Sequence, residues 1–171
     1  MLKHEDIFLR SVENKDADLL YKAINQPDLV RFNAPFAPVH EVCHLEWLST
    51  LLKDKSKEFF LIEMAGKPVG AIQLFDINLI HRSAELQIRL FEGKNFGKGI
   101  GSKAVTALCN HAFIDLGLVR VWLRVFANNE RAIASYKKSG FLIEGIMKRA
   151  AFINGAFEDV IMMAKLNLSQ F

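Results

Sequence analysis

The sequence predicts an α+β (mixed α/β) domain with about seven strands and about four helices, in the order β-α-α-β-β-β-α-β-α-β-β. Three observations lead to this prediction. The length of 171 residues is that of one domain. Short apolar runs bounded by turn residues alternate with longer segments of helical periodicity. No segment repeats another, and residues 1–171 are therefore assigned to a single domain.

The chain begins with a strand and two helices that are separated by a proline-rich loop. Apolar residues predict a strand from Ile7 to Val12, and Asn14 is a candidate cap for a helix from Asp16 to Gln26. Three prolines interrupt regular structure between residues 27 and 40. Apolar spacing then predicts an amphipathic helix from Glu41 to Lys53.

Three strands come next and are expected to form an antiparallel meander. Phe59 to Met64 and Val69 to Ile77 flank the segment Ala65-Gly66-Lys67-Pro68, in which glycine beside proline is strong turn chemistry. Ala84 to Phe91 alternates apolar and polar side chains, as a strand with one buried face does.

The remaining half of the chain opens with a glycine loop and then alternates helices with strands. Gly140 is placed to end a helix as its C′ residue. The Asn-Gly pair within Ile153-Asn154-Gly155 is a strong hairpin signal. The predicted elements are a helix from about Gly101 to Leu116, a strand from Arg120 to Phe126, a helix from Glu130 to Ser139, and strands from Phe141 to Phe152 and from Phe157 to Leu166.

Composition and charge argue against several classes of protein. The formal net charge is +3, and Lys and Arg are interspersed with Asp and Glu, so a nucleic-acid partner is not indicated. Cys43 and Cys109 form no C-x-x-C pair, which argues against a zinc site or a disulfide framework and fits reduced thiols in the cytoplasm. The N-terminus lacks a signal-peptide h-region and no apolar run approaches ~18 residues, so no membrane association is expected.

The segment Phe96-Gly97-Lys98-Gly99-Ile100-Gly101 carries three glycines at a predicted strand-to-helix junction. Glycine takes positive φ at little cost and can direct successive backbone N–H groups to one point. Together with a helix N-terminus, such groups form a cradle for phosphate. Lys98 and Lys103 are expected to add positive charge beside it.

Other glycine loops fit this segment less well. A P-loop requires G-x-x-x-x-G-K-[S/T], but Gly97-Lys98 is followed by Gly99 where Ser or Thr is needed. The dinucleotide fingerprint matches Gly99, Gly101 and Ala104, yet its first glycine lies eight residues past the end of the predicted strand. A tight turn that binds no ligand is the remaining alternative.

The loop and a second motif downstream resemble those of the GNAT superfamily of N-acetyltransferases. The loop is similar to the pattern [Gln/Arg]-x-x-Gly-x-[Gly/Ala], with Phe96 in place of the first Gln or Arg, and Asn128 to Phe141 resembles N-x-x-A-x-x-x-Y-x-x-x-G-F. The stretch from Asp76 to Ile88 looks similar to spermidine N-acetyltransferases, which belong to one branch with ribosomal-protein alanine N-acetyltransferases. The resemblance implies a GNAT-like fold with a central, mostly antiparallel twisted sheet, and acetyl-CoA as cosubstrate without a metal.

The resemblance also implies where the cofactor is held. The glycine loop contacts the pyrophosphate, and Asn129 contacts the pantetheine arm, which passes close to the small Ala132. Pantetheine fills a gap between two splayed strands, where a backbone N–H polarises the thioester carbonyl. The implied cofactor-binding residues are Gln87, Ile88, Arg89, Leu90, Phe96, Gly97, Lys98, Gly99, Ile100, Gly101, Ser102, Asn128, Asn129, Ala132 and Tyr136.

Acetyl transfer to an amine needs a proton donor for the leaving thiolate and an acceptor for the ammonium proton. By resemblance Tyr136 lies near the cofactor sulfur and is the candidate acid. Glu85 is the candidate base, because several members of the superfamily carry a carboxylate at this position. An ordered water chain is an equal alternative, and Asp76 and Glu63 are weaker candidates.

The acceptor amine is open at this point. Residues 30–38 are apolar with one arginine, and no carboxylate follows until Glu41, so a polycation gains little there. A protein N-terminus or a weakly charged small amine such as an amino sugar is therefore favoured over a polyamine, and a non-catalytic acyl-CoA sensor and a homodimer are both compatible. The candidate substrate contacts are Phe32, Asn33, Phe36 and Glu85.

Overall fold

The computed structural model describes residues 1–26, 38–91, 97–153 and 155–168. Within these residues eight strands form one sheet: β1 (Leu2–His4), β2 (Ile7–Ser11), β3 (Glu58–Met64), β4 (Lys67–Asn78), β5 (Ser83–Leu90), β6 (Arg120–Phe126), β7 (Leu142–Ile153) and β8 (Ala156–Leu166). The same residues form four α-helices: α1 (Ala17–Ile24), α2 (Glu41–Leu51), α3 (Ile100–Ile114) and α4 (Glu130–Lys138).

The strand order is β1-β2-β3-β4-β5-β6-β8-β7, and each neighbouring pair is antiparallel except β5 with β6. The parallel pair requires a crossover, which α3 supplies. The predicted mixed α/β, mostly antiparallel sheet is therefore confirmed. The predicted proline-rich loop lies outside the described residues at positions 27–37. The predicted hairpin turn lies outside them at Asn154.

The structure adds one strand that the sequence analysis did not predict. β1 pairs antiparallel with β2, with His4 opposite Ile7, and the turn between them places Glu5 at a φ of 52°. Three residues are too few to display a period-2 pattern, so hydrophobic periodicity could not reveal this strand. Lys103 of α3 holds the turn in place through ion pairs with Glu5 at 2.8 Å and Asp6 at 2.6 Å.

The first helix also begins differently from its prediction. A 3-10 turn spans Asn14–Asp16, and the N-cap of this turn is Glu13 rather than Asn14. The Glu13 backbone N–H donates to the Asp16 carboxylate at 2.8 Å, and Arg10 of β2 binds both oxygens of the same carboxylate at 2.7 and 2.9 Å. A nearly buried ion pair therefore fixes the start of α1 to the sheet.

Helices cover both faces of the sheet. The face that carries α3 and α4 is named the α3 face, and the face that carries α1 and α2 is named the α1 face. The α3 face is filled by buried residues that include Ile7, Leu9, Ile62, Ile72, Leu74, Leu86, Ile100, Ala104, Leu108 and Ala112. The smaller cluster on the α1 face consists of Leu20, Ala23, Leu48, Leu51, Leu61, Ala71 and Phe91. Each fully buried Leu or Ile side chain contributes about 1.5 to 3 kcal/mol.

The end of α4 follows its sequence prediction. Gly140 has a φ of 88°, its N–H donates to the Lys137 carbonyl at 3.0 Å, and the Phe141 N–H donates to the Tyr136 carbonyl at 3.0 Å. This is the hydrogen-bond pattern of a Schellman motif with glycine at C′. The motif turns the chain directly from α4 into β7.

Strands β4 and β5 approach each other closely at Gly70. A Cβ atom added there would lie 2.6 Å from the Arg89 carbonyl oxygen and 2.9 Å from Leu90 Cδ2. Only glycine permits this approach without a shift of the backbone. The position of β5, and of every residue that it carries, therefore depends on Gly70.

We predict that Gly70→Ala lowers the free energy of unfolding by about 1 to 3 kcal/mol, because the added methyl group overpacks a backbone contact. Gly145→Ala in β7 is the matched control, since a Cβ there meets no atom within 4 Å and the φ lies outside the left-handed region. Urea unfolding of both variants measures the difference. Equal midpoints for the two variants would contradict the prediction.

Candidate active site

The two parallel strands at the centre of the sheet separate after three residues. Ser83 pairs with Arg120, Ala84 with Val121, and Glu85 with Trp122, and the register ends there. β5 continues to Leu90 and β6 to Phe126, so the strands diverge toward their C-terminal ends. Their facing backbone groups need other partners, since backbone donors and acceptors inside a protein are nearly always paired. The gap is the one that the family resemblance implies.

Backbone groups of alternate residues on β5 point to opposite edges of the strand. The Phe91 N–H donates to the Val69 carbonyl at 3.0 Å, on the β4 side. Two residues earlier, Arg89 also has its carbonyl directed to β4, beside Gly70. By this alternation, the backbone groups of Ile88 and Leu90 point into the gap. The backbone groups of Gln87 and Arg89 point to β4. Of the four residues predicted on this strand, Ile88 and Leu90 are therefore the two that offer backbone groups to a ligand in the gap.

The glycine loop leads into α3 with the conformation that a phosphate cradle requires. Gly97 has a φ of 77° and Gly99 a φ of 76°, and Gly99 is the N-cap of α3. A Cβ at either glycine would meet no described atom within 4 Å, so the loop borders open space. Ile100 is buried and anchors the start of the helix, whereas Lys98 is exposed. Phe96 lies outside the described residues.

Three elements meet at the start of α3. A Cβ on Gly101 would lie 3.8 Å from Ser135 Oγ of α4 and 4.0 Å from Ile88 Cδ1 of β5. The hydroxyl groups of Ser102 and Ser135 are 2.9 Å apart and share a hydrogen bond. Ser102 was predicted as a cofactor contact, and in the structure it also joins the two helices. Ser135 was not singled out, although it lies inside the second motif.

The sequence analysis expected Lys103 to add positive charge beside the cradle, and in the structure its charge is directed elsewhere. It lies on the side of α3 that faces the β1–β2 turn, where both Glu5 and Asp6 bind its ammonium group. These contacts raise the pKa of Lys103, with the Asp6 hydrogen bond as the largest cause. The Lys103 side chain therefore points toward the β1–β2 turn and away from the glycine loop.

Helix α4 presents the second motif beside the gap. Asn129 is the N-cap of α4, and its side-chain oxygen accepts from the Ala132 N–H at 3.2 Å. Ala132 is half-buried against the α3-face core, and Asn128 is exposed. Ala132 and Tyr136 are four residues apart and therefore share one face of the helix. The cap defines the start of the helix that carries the tyrosine.

Tyr136 is half-buried and its ring packs against Phe141, with ring centroids 6.0 Å apart. Burial raises the pKa of Tyr136 to about 12, because the ionised phenolate is disfavoured away from water. The hydroxyl makes no hydrogen bond to any residue that the structure describes. Tyr136 is therefore protonated throughout the neutral range and free to donate.

Glu85 lies at the vertex of the gap, at the last paired rung of β5 and β6. Its side chain is 2% exposed and forms a bidentate pair with Arg124, at 2.8 Å from Nε and 3.2 Å from Nη2. Desolvation raises the pKa of Glu85, the hydrogen bonds from Arg124 oppose that rise, and the charge of Asp76 adds to it. The net direction is upward, toward the pKa of a better base.

Arg124, the partner of Glu85, is the candidate site residue that the sequence analysis missed. Along β6, Trp122, Arg124 and Phe126 alternate with buried valine and leucine, which indicates a shared face. The pairing of Glu85 with Trp122 brings that face beside the carboxylate. The alternation was visible in the sequence, but the register between β5 and β6 was not.

The other predicted site residues are less central or lie outside the described chain. Glu63 of β3 binds Arg10 at 3.0 Å, and Asp76 is exposed on β4. The predicted substrate contacts Phe32, Asn33 and Phe36 fall outside the described residues. Among the described residues no group of three or more His, Cys, Asp or Glu side chains is arranged to hold a metal ion. No described helix combines the length and apolar character that a membrane crossing requires.

An open strand edge beside a glycine loop at a helix N-terminus suits an extended cosubstrate that carries phosphate groups, as an acyl-CoA does. The chain belongs to the GNAT acetyltransferases, because residues 6–142 match the family described as Acetyltransferase (GNAT) domain. It is an acetyl-CoA-dependent N-acetyltransferase.

Known relatives include enzymes with different acceptors. The chain is 32% identical to the spermidine N(1)-acetyltransferase of Escherichia coli K12, over 91% of this chain and 83% of that protein. It is 30% identical to the E. coli K12 ribosomal-protein-serine acetyltransferase, over 66% of this chain and 63% of that protein.

The fold is also similar to solved structures of the spermidine N-acetyltransferase from Vibrio cholerae. A complex of that enzyme with CoA and spermine has a TM-score of 0.87 and 28% identity, and the match covers 94% of this chain and 95% of that one. A dodecameric structure of the same enzyme has a TM-score of 0.83 and 28% identity, over 96% and 98% of the two chains.

We predict that Gly99→Ala weakens CoA binding by about tenfold. An alanine at a φ of 76° is strained by about 1 to 2 kcal/mol, and relaxation of that strain turns the N–H groups at the start of α3 away from the phosphates. Gly66→Ala, at a φ of 72° in the β3–β4 turn, introduces similar strain away from the loop and is the matched control. Calorimetric titration with CoA measures both. An equal Kd for the two variants would rule out this role of the loop.

Proposed function

We propose that this enzyme transfers the acetyl group by direct attack of a primary amine in a ternary complex, with Tyr136 as acid and Glu85 as proton acceptor. The observation that carries the proposal is the gap between β5 and β6. The closed end of the gap carries the buried carboxylate of Glu85, and the open end is flanked by the N-termini of α3 and α4.

The residues at the gap fit acetyl-CoA on the contacts described. The N–H groups after Gly97 and Gly99 would hold the pyrophosphate, and the free backbone edge at Ile88 and Leu90 would bind the pantetheine arm as an added strand binds. The Asn129 side-chain nitrogen would extend this contact from α4. When bound, acetyl-CoA supplies the activated acetyl thioester and a thiolate leaving group. An N–H of β5 in the gap would polarise the carbonyl oxygen.

Tyr136 lies on the α3 face, where its neighbours on α4 also border the gap. A hydroxyl with a pKa of about 12 keeps its proton at neutral pH and donates a hydrogen bond to sulfur as negative charge develops there. Its half-buried ring, packed against Phe141, also limits the access of water to this contact. Proton donation by Tyr136 therefore assists departure of the thiolate.

Glu85 is placed to receive the proton that the attacking ammonium must lose. Its side chain points to the α1 face, because its partner Phe75 and its ligand Arg124 lie there, whereas Tyr136 lies on the α3 face. Acid and base therefore stand on opposite faces of the sheet, which suits an amine that enters opposite the cofactor. With Glu85 held by Arg124, the proton passes from the ammonium group to the Glu85 carboxylate either directly or through one bridging water.

The acceptor that this arrangement favours is a weakly charged primary amine, a small molecule such as an amino sugar or a protein N-terminus. Arg124 neutralises the one buried carboxylate on the acceptor side of the gap, so this surface holds little attraction for a polycation. The second candidate is a polyamine, and similarity to spermidine N-acetyltransferases over more than nine tenths of the chain favours it.

Three further properties belong to the proposal. The single sheet, which runs from Leu2 to Leu166, supports one domain over residues 1–171. Free Cys43 and Cys109 support a reducing, cytoplasmic environment. Exposed apolar side chains at Leu142, Phe152 and Phe157 of the β7–β8 hairpin support self-association, at least to a homodimer, and the dodecameric neighbour is consistent with this.

We predict that Tyr136→Phe lowers kcat by about 100-fold or more while the KM for acetyl-CoA changes little, because the substitution removes only the proton donor. Tyr21→Phe is the matched control. Tyr21 lies on α1 beside His44 and should retain full activity. Thiol release at saturating amine measures kcat. Equal turnover by the two variants would exclude Tyr136 as the acid.

We predict that an amine panel separates the two acceptor candidates. Glucosamine and a peptide with a free N-terminal alanine should be acetylated with a higher kcat/KM than spermidine, because the buried carboxylate of the gap, Glu85, is already bound by Arg124. Thiol release and mass spectrometry of the products measure the outcome. A higher kcat/KM for spermidine would establish the polyamine candidate instead. CoA binding without acetylation of any amine would indicate a sensor.

A further inference from the structure

Arg89 is a half-buried cation on the acceptor side of the gap. It pairs across the sheet with Ala71, which belongs to the α1-face core, so the Arg89 side chain lies on that face. Gln87 and Glu85 precede it at alternate positions on the same face. The side chains of Glu85, Gln87 and Arg89 therefore form one row on the α1 face of β5, the strand that borders the gap.

Arg89 differs from the other site arginine in its contacts. The Arg124 side chain is 50% exposed, and its guanidinium binds Glu85 through two nitrogens. The Arg89 guanidinium makes no hydrogen bond or ion pair with any described residue, and burial alone lowers its pKa. A desolvated charge without a counter-charge is costly, and proteins place such groups where a ligand supplies the counter-charge.

The neighbours of Arg89 offer no anion within the described chain. Gln87 directs its side-chain oxygen to the Gln73 amide at 2.7 Å, and the nearest carboxylate in the row, Glu85, is already bound by Arg124. The row and its partner together carry two guanidinium groups and one carboxylate. Asp76 adds a second carboxylate whose charge acts on Glu85, so negative charge is concentrated at the Glu85 end of the row and the Arg89 end attracts an anion.

We propose that Arg89 binds an anionic group of the acceptor substrate, so that the preferred acceptor is an amine that also carries a carboxylate or a phosphate. This inference rests on the proposed function. A guanidinium binds either oxyanion through two parallel hydrogen bonds, which fixes orientation as well as affinity.

Position on the strand sets the reach of such an acceptor. Residues on one face of a strand are spaced ~7 Å apart, so the Cα atom of Arg89 lies ~13 Å from that of Glu85, next to Ile88. The Arg89 side chain can reach several ångströms along the row toward Glu85, so the oxyanion of the acceptor is expected about 5 to 8 Å from a reacting amine held near Glu85. Ornithine and glucosamine 6-phosphate both have such a separation, and one tests the carboxylate and the other the phosphate.

The test compares two matched pairs of amines that differ only in the anion: putrescine with ornithine, and glucosamine with glucosamine 6-phosphate. The wild-type enzyme is expected to show a kcat/KM about 10- to 100-fold higher for the anionic member of at least one pair, with the difference mainly in KM. The pair that shows the preference identifies the oxyanion. Equal values within both pairs, or a preference for putrescine, glucosamine or spermidine, would overturn the inference.

The variant Arg89→Gln is expected to abolish the preference by raising KM for the amine that carries the anion, while kcat/KM for the amine without the anion stays within about twofold. Arg89→Lys, which keeps the charge but not the planar fork, is expected to retain part of it. Arg149→Gln removes an exposed arginine that stacks over Phe157 on the β7–β8 hairpin and serves as the charge-matched control. A preference that survives Arg89→Gln would also overturn the inference.

A binding measurement separates this inference from the proposed function. Ornithine and glucosamine 6-phosphate are titrated calorimetrically into the CoA-saturated wild type and Arg89→Gln proteins. If no amine is acetylated but one anionic amine binds only when Arg89 is present, acetyl transfer fails and the anion site stands. If amines are acetylated but neither anionic amine depends on Arg89, the anion site fails and acetyl transfer stands.

Discussion

The separation of β5 from β6 after the Glu85–Trp122 rung is the constraint on which the rest of the site depends. A ladder that continued to Leu90 would satisfy every backbone group and leave no strand edge for a ligand. Gly70 holds β5 tightly against β4, and β8 pairs along the full length of β6, from Arg120 to Phe126. The two halves of the sheet are therefore each well paired, and the opening is confined to the line between them.

The opening has two sides with different chemistry. On the α3 face, the hydrogen bond between Ser102 and Ser135 fixes the distance between the helix that begins at the glycine loop and the helix that carries Tyr136. On the α1 face, the Arg124 pair fixes Glu85 at the vertex. Because side chains of successive residues on a strand point to opposite faces, one strand can supply both the proposed cofactor edge and the proposed acceptor row.

Most of the fold was predictable because its signals are local. Glycine after a helix at Gly140, the apolar runs of β3 to β6 and the turn at Gly66 each depend on a few neighbouring residues. β1 is too short for periodicity, and the cap at Glu13 depends on Asp16, which Arg10 holds from another strand. Within the site, the positive φ values of Gly97 and Gly99 follow from residue type, whereas the partners of Lys103 and Glu85 depend on tertiary register and could not be read from spacing.

This chain is similar to spermidine and ribosomal-protein acetyltransferases, and the proposed cradle, open strand edge and proton donor serve acetyl transfer whatever the acceptor. The acceptor side has no such common requirement, because amines differ in charge and shape. In this chain that side has a neutralised carboxylate at Glu85 and an unmatched guanidinium at Arg89. Binding energy for the acceptor must come from contacts that match this charge, and a substrate that adds only positive charge leaves Arg89 unpaired. On the proposed function, electrostatics at the gap therefore favours an acceptor that supplies a counter-charge to Arg89.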